Sequence, residues 1–331
     1  MVQPFTDEQS RTLINLEQQY QVWIEAERSL AALPYDLRRK TVGGKAYLYE
    51  ISDRGGNGRS LGPWTDEQAL RLEAYRAAKE GAKARRAAAR VALEETARIC
   101  RALRVPLLPT EAGEIVREAD RRGLLGEHLL VIGTNAMTAY SIEAGGFIAA
   151  PMETQDFDLA WSSMASPPEQ PAVWNMLKAV DPTYTVNMER SFQARNARAY
   201  EVELLVAPSR AASLAQFEQP RAVPLPEQEW LLNGRVVDRV TVCRDGSPAR
   251  IVAPDPRWFA LHKLWMSRQA KRNPLKRRKD GQQGVALLEA VSLAMPQYPL
   301  DAGFETSLPA KLSQIYAEWL PSRPKPATPR W

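Results

Sequence analysis

Asp156-Phe157-Asp158-Leu159 alternates a carboxylate with an apolar side chain. This is the period of a β-strand, so both carboxylates project from one face while Phe157 and Leu159 enter a core. At about 7 Å apart and an effective dielectric of about 20, two such charges repel by roughly 2–3 kcal/mol. Partial burial of the pair therefore calls for a bound cation or a retained proton. For all-oxygen ligands beside a phosphate chain, the expected cation is magnesium.

The same spacing recurs at Glu25-Ala26-Glu27, Glu118-Ala119-Asp120 and Glu201-Val202-Glu203. The first two lie in helical stretches, where the acids splay apart onto a solvated face. The third lies in a strand whose other face, Tyr200, Val202 and Leu204, is apolar, so this strand can supply a third carboxylate. Glu203 and Glu201 compete for that place, and a salt bridge at a strand edge accounts equally well for either.

Upstream, the apolar run Leu129 to Ile132 reads as a strand, Gly133-Thr134 as a turn, and Asn135 to about Ala144 as a helix. Exposed N–H groups, the helix dipole and the Thr134 hydroxyl are then available to phosphate oxygens, and Gly133 permits close backbone approach. Downstream come a strand pair around Val236 to Val242 and helices at about Pro256 to Ala270 and Lys279 to Ala294. Asp280 has the position of a cap for the second of these helices. The run Lys271, Arg272, Lys276, Arg277, Arg278, Lys279 reads as a basic loop between them, suited to phosphate.

The first hundred residues differ in kind. Thr6 to Ala32 carries apolar residues at helical spacing, and Pro34 ends it. Tyr47 to Ile51 and Arg59 to Gly62 flank a glycine-rich turn and read as a β-hairpin with a basic, aromatic rim. A second helix runs from Thr65 to about Leu103, either as an antiparallel partner of the first or broken at Gly81. A short helix follows from Thr110 to near Gly123. The expected divisions are an N-terminal helical and hairpin part at 1–105, a core at 106–215, C-terminal strands and helices at 216–320, and a disordered proline-rich tail at 321–331.

Composition sets outer bounds. The net charge of +5 is concentrated near Lys83 to Arg90 and Lys271 to Lys279, which suits polyanionic partners. No apolar stretch approaches the roughly 18 residues needed to cross a bilayer, and Met1 to Ser10 lacks the features of a leader, so a cytoplasmic location with no membrane partner is expected. Cys100 and Cys243 are too far apart in sequence for metal-ligand spacing, and they define no disulfide framework.

The order of apolar strand, Gly-Thr, helix, Asp-apolar-Asp and Val-acid-apolar-apolar resembles the nucleotidyltransferase superfamily, with its DNA polymerase beta-like fold. Further segments extend the likeness to a bacterial branch with an N-terminal helical and hairpin region: Tyr47-Leu48-Tyr49 to Ser60-Leu61-Gly62-Pro63, Val131-Ile132-Gly133-Thr134-Asn135-Ala136, and Phe259-Ala260-Leu261-His262-Lys263-Leu264. The resemblance implies an α+β fold in which a mixed-sheet core is joined to an N-terminal helical hairpin with a β-hairpin and to a C-terminal helical region. It implies that Gly133, Thr134 and Asn135 contact a nucleoside triphosphate, with Lys263 and Lys279 reaching it from the C-terminal helices. Asp156, Asp158 and Glu203 are implied as the catalytic acids holding two magnesium ions. The chain departs from the family pattern in a long interval between Thr134 and Asp156, which implies an insertion around Gly145 to Gln155, and in a glutamate at the third acid.

The activity implied is transfer of a nucleoside monophosphate from an NTP to a hydroxyl acceptor. The basic, tyrosine-bearing hairpin favours RNA as that acceptor. A nucleic-acid-binding or partner-binding protein without turnover, and a toxin modifying host RNA, are the competing readings.

Overall fold

The computed structural model of the chain describes residues 2–152, 154, 156–167 and 170–324. Of the tail 321–331, for which disorder was expected, residues 321–324 are ordered, with a 3-10 turn at Leu320–Ser322 and Arg323 donating to Leu300 O, and the rest lies outside the described residues. Two compact units are present: one comprises Met1–Glu17 with Thr96–Trp331, and the other Gln18–Glu95. The boundaries fall inside the two long helices.

Strand β1 (Val2–Pro4) leads into α1 (Asp7–Ala31). Thr6 and Gln9 cap α1 reciprocally, the Gln9 N–H donating to Thr6 Oγ1 and the Thr6 N–H to Gln9 Oε1. Strands β2 (Asp36–Val42), β3 (Lys45–Ile51) and β4 (Gly58–Pro63) form an antiparallel meander. The hairpin expected from sequence is thus joined by a third strand, whose basic run masks its alternation. Helix α2 (Asp66–Ala102) continues unbroken through Gly81. The Glu27–Arg86 ion pair and the hydrogen bond from Gln9 to Leu103 O show that α1 and α2 run antiparallel. One face of the meander, through Leu37 and Leu48, buries itself against Leu72 and Tyr75 of α2.

The larger unit continues with β5 (Leu107–Leu108), α3 (Thr110–Arg121), β6 (Leu129–Ile132), α4 (Ala136–Glu143), β7 (Gly146–Ile148), β8 (Asp156–Trp161) and α5 (Ala172–Val180). Then come β9 (Thr185–Val186), β10 (Gln193–Arg195), β11 (Glu201–Val206), β12 (Val223–Pro224), β13 (Val237–Cys243) and β14 (Pro248–Ala253). Helices α6 (Pro256–Ser267), α7 (Pro274–Ala294), α8 (Ala302–Ser307) and α9 (Ala310–Trp319) complete it. A six-stranded sheet has the order β6-β8-β11-β10-β9, with β12 on β11. β8 runs antiparallel to β6 and parallel to β11, so the sheet is mixed and the fold is α+β. The insertion expected after Gly145 contains β7, which pairs antiparallel with β1 and so tethers the N-terminus.

Phe157, Leu159, Val202 and Leu204 lie in one continuous core with residues of α3, α4, α6 and α7. Gly284 permits α6 and α7 to approach: a Cβ there would stand 2.7 Å from Leu264 Cγ and 2.8 Å from Ala260 O. Among the described residues, no helix is long and apolar enough to cross a membrane.

Candidate active site

β8 and β11 lie side by side in parallel, with Glu201 opposite Asp156 and Glu203 opposite Asp158. The alternation that buries Phe157 and Val202 turns the acids to the other face. Carboxylate oxygens of Asp156, Asp158 and Glu203 come within 4.8 Å of one another. Glu201 is instead held by Arg195 and by Gln193, whose Nε2 also donates to Glu203 at 3.2 Å. The geometry thus separates the two glutamates, bringing Glu203 into the cluster and committing Glu201 to an ion pair with Arg195 of the neighbouring strand β10, inside the sheet and not at an edge strand.

The three acids have different proton affinities. Burial, reinforced by the charges of Asp156 and Glu203, pushes Asp158 up to about 7. Burial also raises Glu203, against the opposing charge of Lys276. Burial would raise Asp156 too, but hydrogen bonds from Lys276 and Thr154 outweigh it and bring this carboxyl down to about 2. The metal-free cluster therefore holds back part of its charge as protons, which a divalent cation would displace.

Gly133 closes one side. It follows β6, whose Ile132 pairs with Asp158, and it has a positive φ of +70°. A Cβ there would lie 1.9 Å from Asp158 Oδ2, so both the backbone conformation and the space require glycine. Thr134 is buried, and its hydroxyl accepts from Gln283 Nε2 at 3.4 Å. The Asn135 amide donates to the Asp156 carbonyl at 3.2 Å, tying the turn to the start of β8.

The far side is built from α6 and α7. α7 starts at Pro274, with the Asn273 side chain accepting from the Leu275 and Lys276 N–H groups. It therefore begins five residues before the expected Lys279, and four of the six cations of the expected basic loop lie in the helix. Asp280 is not its cap: fully buried, it accepts from Lys263 Nζ at 2.8 Å and Arg272 Nε at 3.0 Å. Lys263 is accordingly no surface lysine but a buried one beside Asp158 in the wall of a cavity. Lys276 Nζ reaches Asp156 Oδ2 at 2.8 Å. Lys279 is half-buried, and burial together with the charge of Lys263 lowers its proton affinity. Four cations in the opening turns of α7 oppose its dipole, an arrangement that anions in front of the helix relieve.

Sequence reasoning did not single out Lys276. Once a helix starts at Pro274, Lys276, Lys279, Asp280 and Gln283 fall on one face at three- and four-residue spacing; the Asn273-Pro274 start signal was the missing step.

A family model described as Nucleotidyltransferase matches residues 110–308, which span the glycine turn, the acid cluster, α6 and α7. The chain belongs to this nucleotidyltransferase family. No curated protein and no solved structure matches it. Membership supports a general role in nucleotidyl transfer, and the acidic triad is present within the matched residues.

Proposed function

We propose that this nucleotidyltransferase moves a nucleoside monophosphate from an NTP to a hydroxyl acceptor at Asp156, Asp158 and Glu203, with RNA as the acceptor class. The convergence of the three carboxylates within 4.8 Å beside Gly133 carries the reading. The donor set is all oxygen and fits two magnesium ions beside a triphosphate. Such ions would neutralise charge on the attacking and leaving oxygens.

The protein's own groups supply the rest. The backbone at Gly133 and the turn into α4, with Thr134, face the triphosphate. Lys276 and Lys279 balance its charge from α7, Lys276 releasing Asp156 as it turns to phosphate. Lys263 acts from the cavity wall, and Asn135 positions the turn. Glu203 completes the acid set and is placed to help activate the acceptor hydroxyl. Holding these groups in line accounts for most of the rate. A site that consumes NTPs belongs with the cytoplasmic nucleotide pool.

RNA is favoured by the open face of the meander. Arg38 is opposite Tyr49 and Lys40 opposite Tyr47, and Lys40 Nζ sits 5.0 Å from the Tyr49 ring centroid. Bases stack on such rings while the cations follow phosphate. The same face supports the second reading, RNA binding without turnover. Incubation with each labelled NTP, magnesium and total RNA separates the two. Label transferred by wild type and absent with the Asp156→Ala, Asp158→Ala double variant is the expected result; RNA binding with no transfer from any NTP would select the second.

A further inference from the structure

Gln283 is completely buried on the face of α7 that carries Lys276, Lys279 and Asp280. Its Nε2 donates to the Pro151 carbonyl at 2.6 Å and to Thr134 Oγ1 at 3.4 Å. One amide thus joins three segments far apart in sequence: α7, the Gly133-Thr134 turn, and the insertion that leads into β8. The shorter contact settles which way the amide points. A carbonyl oxygen accepts and cannot donate, so the group against Pro151 is the NH2, and its second N–H serves Thr134.

That order fixes the polarity of the Thr134 hydroxyl. A hydroxyl carries one proton, and with a lone pair taken by Gln283 the proton turns elsewhere. Among the described residues it has no acceptor, although Thr134 is buried. Thr134 follows Gly133, whose backbone packs against Asp158, so the free donor stands beside the acid cluster. An anionic oxygen is the acceptor that bonds it most strongly. Stability does not account for Gln283: its Oε1 is buried without a partner among the described residues, and an unsatisfied buried oxygen is destabilising. An unbranched apolar side chain of the same length would fill the space without that defect, and would lack the two N–H groups.

We propose that Gln283 is a positioning residue that holds the Thr134 hydroxyl as a donor to an oxygen of the triphosphate chain, its own amide being held by Pro151. The inference rests on the NTP reading above and adds the side chain that sets the direction of a phosphate contact. It is tested by a double-mutant cycle, read by calorimetric titration of the full chain with magnesium and each of the four NTPs. Gln283→Met removes both N–H groups at nearly constant volume, Thr134→Val removes the hydroxyl, and Thr134→Ser keeps it. A thermal melt of each variant verifies folding.

For the NTP that binds wild type most tightly, Thr134→Val should weaken binding about tenfold and Thr134→Ser by no more than about threefold. Gln283→Met alone should weaken it about fivefold; added to Thr134→Val it should change affinity by less than about twofold, because it acts through the hydroxyl. A brace between α7 and the β8 segment would instead give losses that multiply in the double variant, and that result would overturn the proposal. Wild-type affinity in Gln283→Met would overturn it as well, and so would wild-type affinity in Thr134→Val, a result that needs no folded Gln283 variant. In each of these cases NTP binding by wild type leaves the phosphate and metal reading standing. Failure of wild type to bind any NTP would remove that reading, and this one with it.

Discussion

Two carboxylate sites in the larger unit are balanced in opposite ways. Asp280, fully buried, is shared by Lys263 at 2.8 Å and Arg272 at 3.0 Å, so one negative charge meets two positive ones. At Asp156, Asp158 and Glu203, three carboxylates converge, and the half-exposed Lys276 forms an ion pair with Asp156. The first site is saturated by the protein and serves to lock α6 to α7. At the second, burial and the neighbouring carboxylates raise the proton affinities of Asp158 and Glu203. A carboxylate whose counter-charges are built in is structural; converging carboxylates with raised proton affinities are a candidate site for a cation.

Substitutions at the two sites should therefore fail in different ways. The largest effect is expected from Asp158→Asn, which should reduce nucleotidyl transfer on the order of a thousandfold while leaving the fold intact, because cation stabilisation of the transition state is worth several kcal/mol. Transfer rates beside a thermal melt check it; equal rates for variant and wild type would remove the cluster from the chemistry. Asp280→Ala should do the reverse in kind, stranding the buried Lys263 charge at a cost of about 3–5 kcal/mol, read as a lower denaturant midpoint. A midpoint unchanged from wild type would mean that the Lys263–Asp280–Arg272 group is not structural.

A third test uses pH. Asp158 binds its proton more tightly folded than unfolded, its pKa rising from 3.8 to about 7. The stability this contributes is complete below about pH 4 and is lost as pH rises through about 7. Glu203 is shifted in the same direction, whereas Asp156 acts only in more acid solution. The metal-free protein should melt at progressively lower temperature between about pH 5 and 7.5, and added magnesium or manganese should restore more stability at the alkaline end. Asp158→Asn should flatten both trends; an unchanged slope in that variant would assign them elsewhere.

The smallest effect is expected from Lys276→Met. Loss of the ammonium beside Asp156 leaves the cluster more negative, so manganese should bind the nucleotide-free protein a fewfold, at most about tenfold, more tightly. Weaker manganese binding in this variant would mean that Lys276 does not compete for the site.

Much of the frame was legible in the amino-acid order because the signals are local. Thr6 with Gln9 and Thr65 with Gln68 mark the starts of the two long helices, and in both pairs the hydroxyl accepts from the glutamine N–H. Alternation in Asp156 to Leu159 determined which side chains face the core, because strand geometry reverses a side chain at every residue. Gly133 stood out for the same local reason, although its most exacting contact, with Asp158, comes from another strand. Less legible was the start of α7: a dense run of cations resembles a solvated loop until Asn273 and Pro274 are recognised as its cap and first residue.

By itself, then, the sequence determined the strands that carry the acid cluster, the face on which Asp156 and Asp158 lie, and the glycine beside them, all consequences of backbone periodicity and capping. Tertiary structure alone decided that Glu203 joins the acids while Glu201 turns to Arg195, because the parallel register of β8 on β11 and the neighbours across β10 set those contacts. It also decided that Lys276 meets an aspartate 120 positions away and that Lys263 is buried on Asp280. Ion pairs and cavities arise where distant segments pack, and no local pattern encodes that meeting.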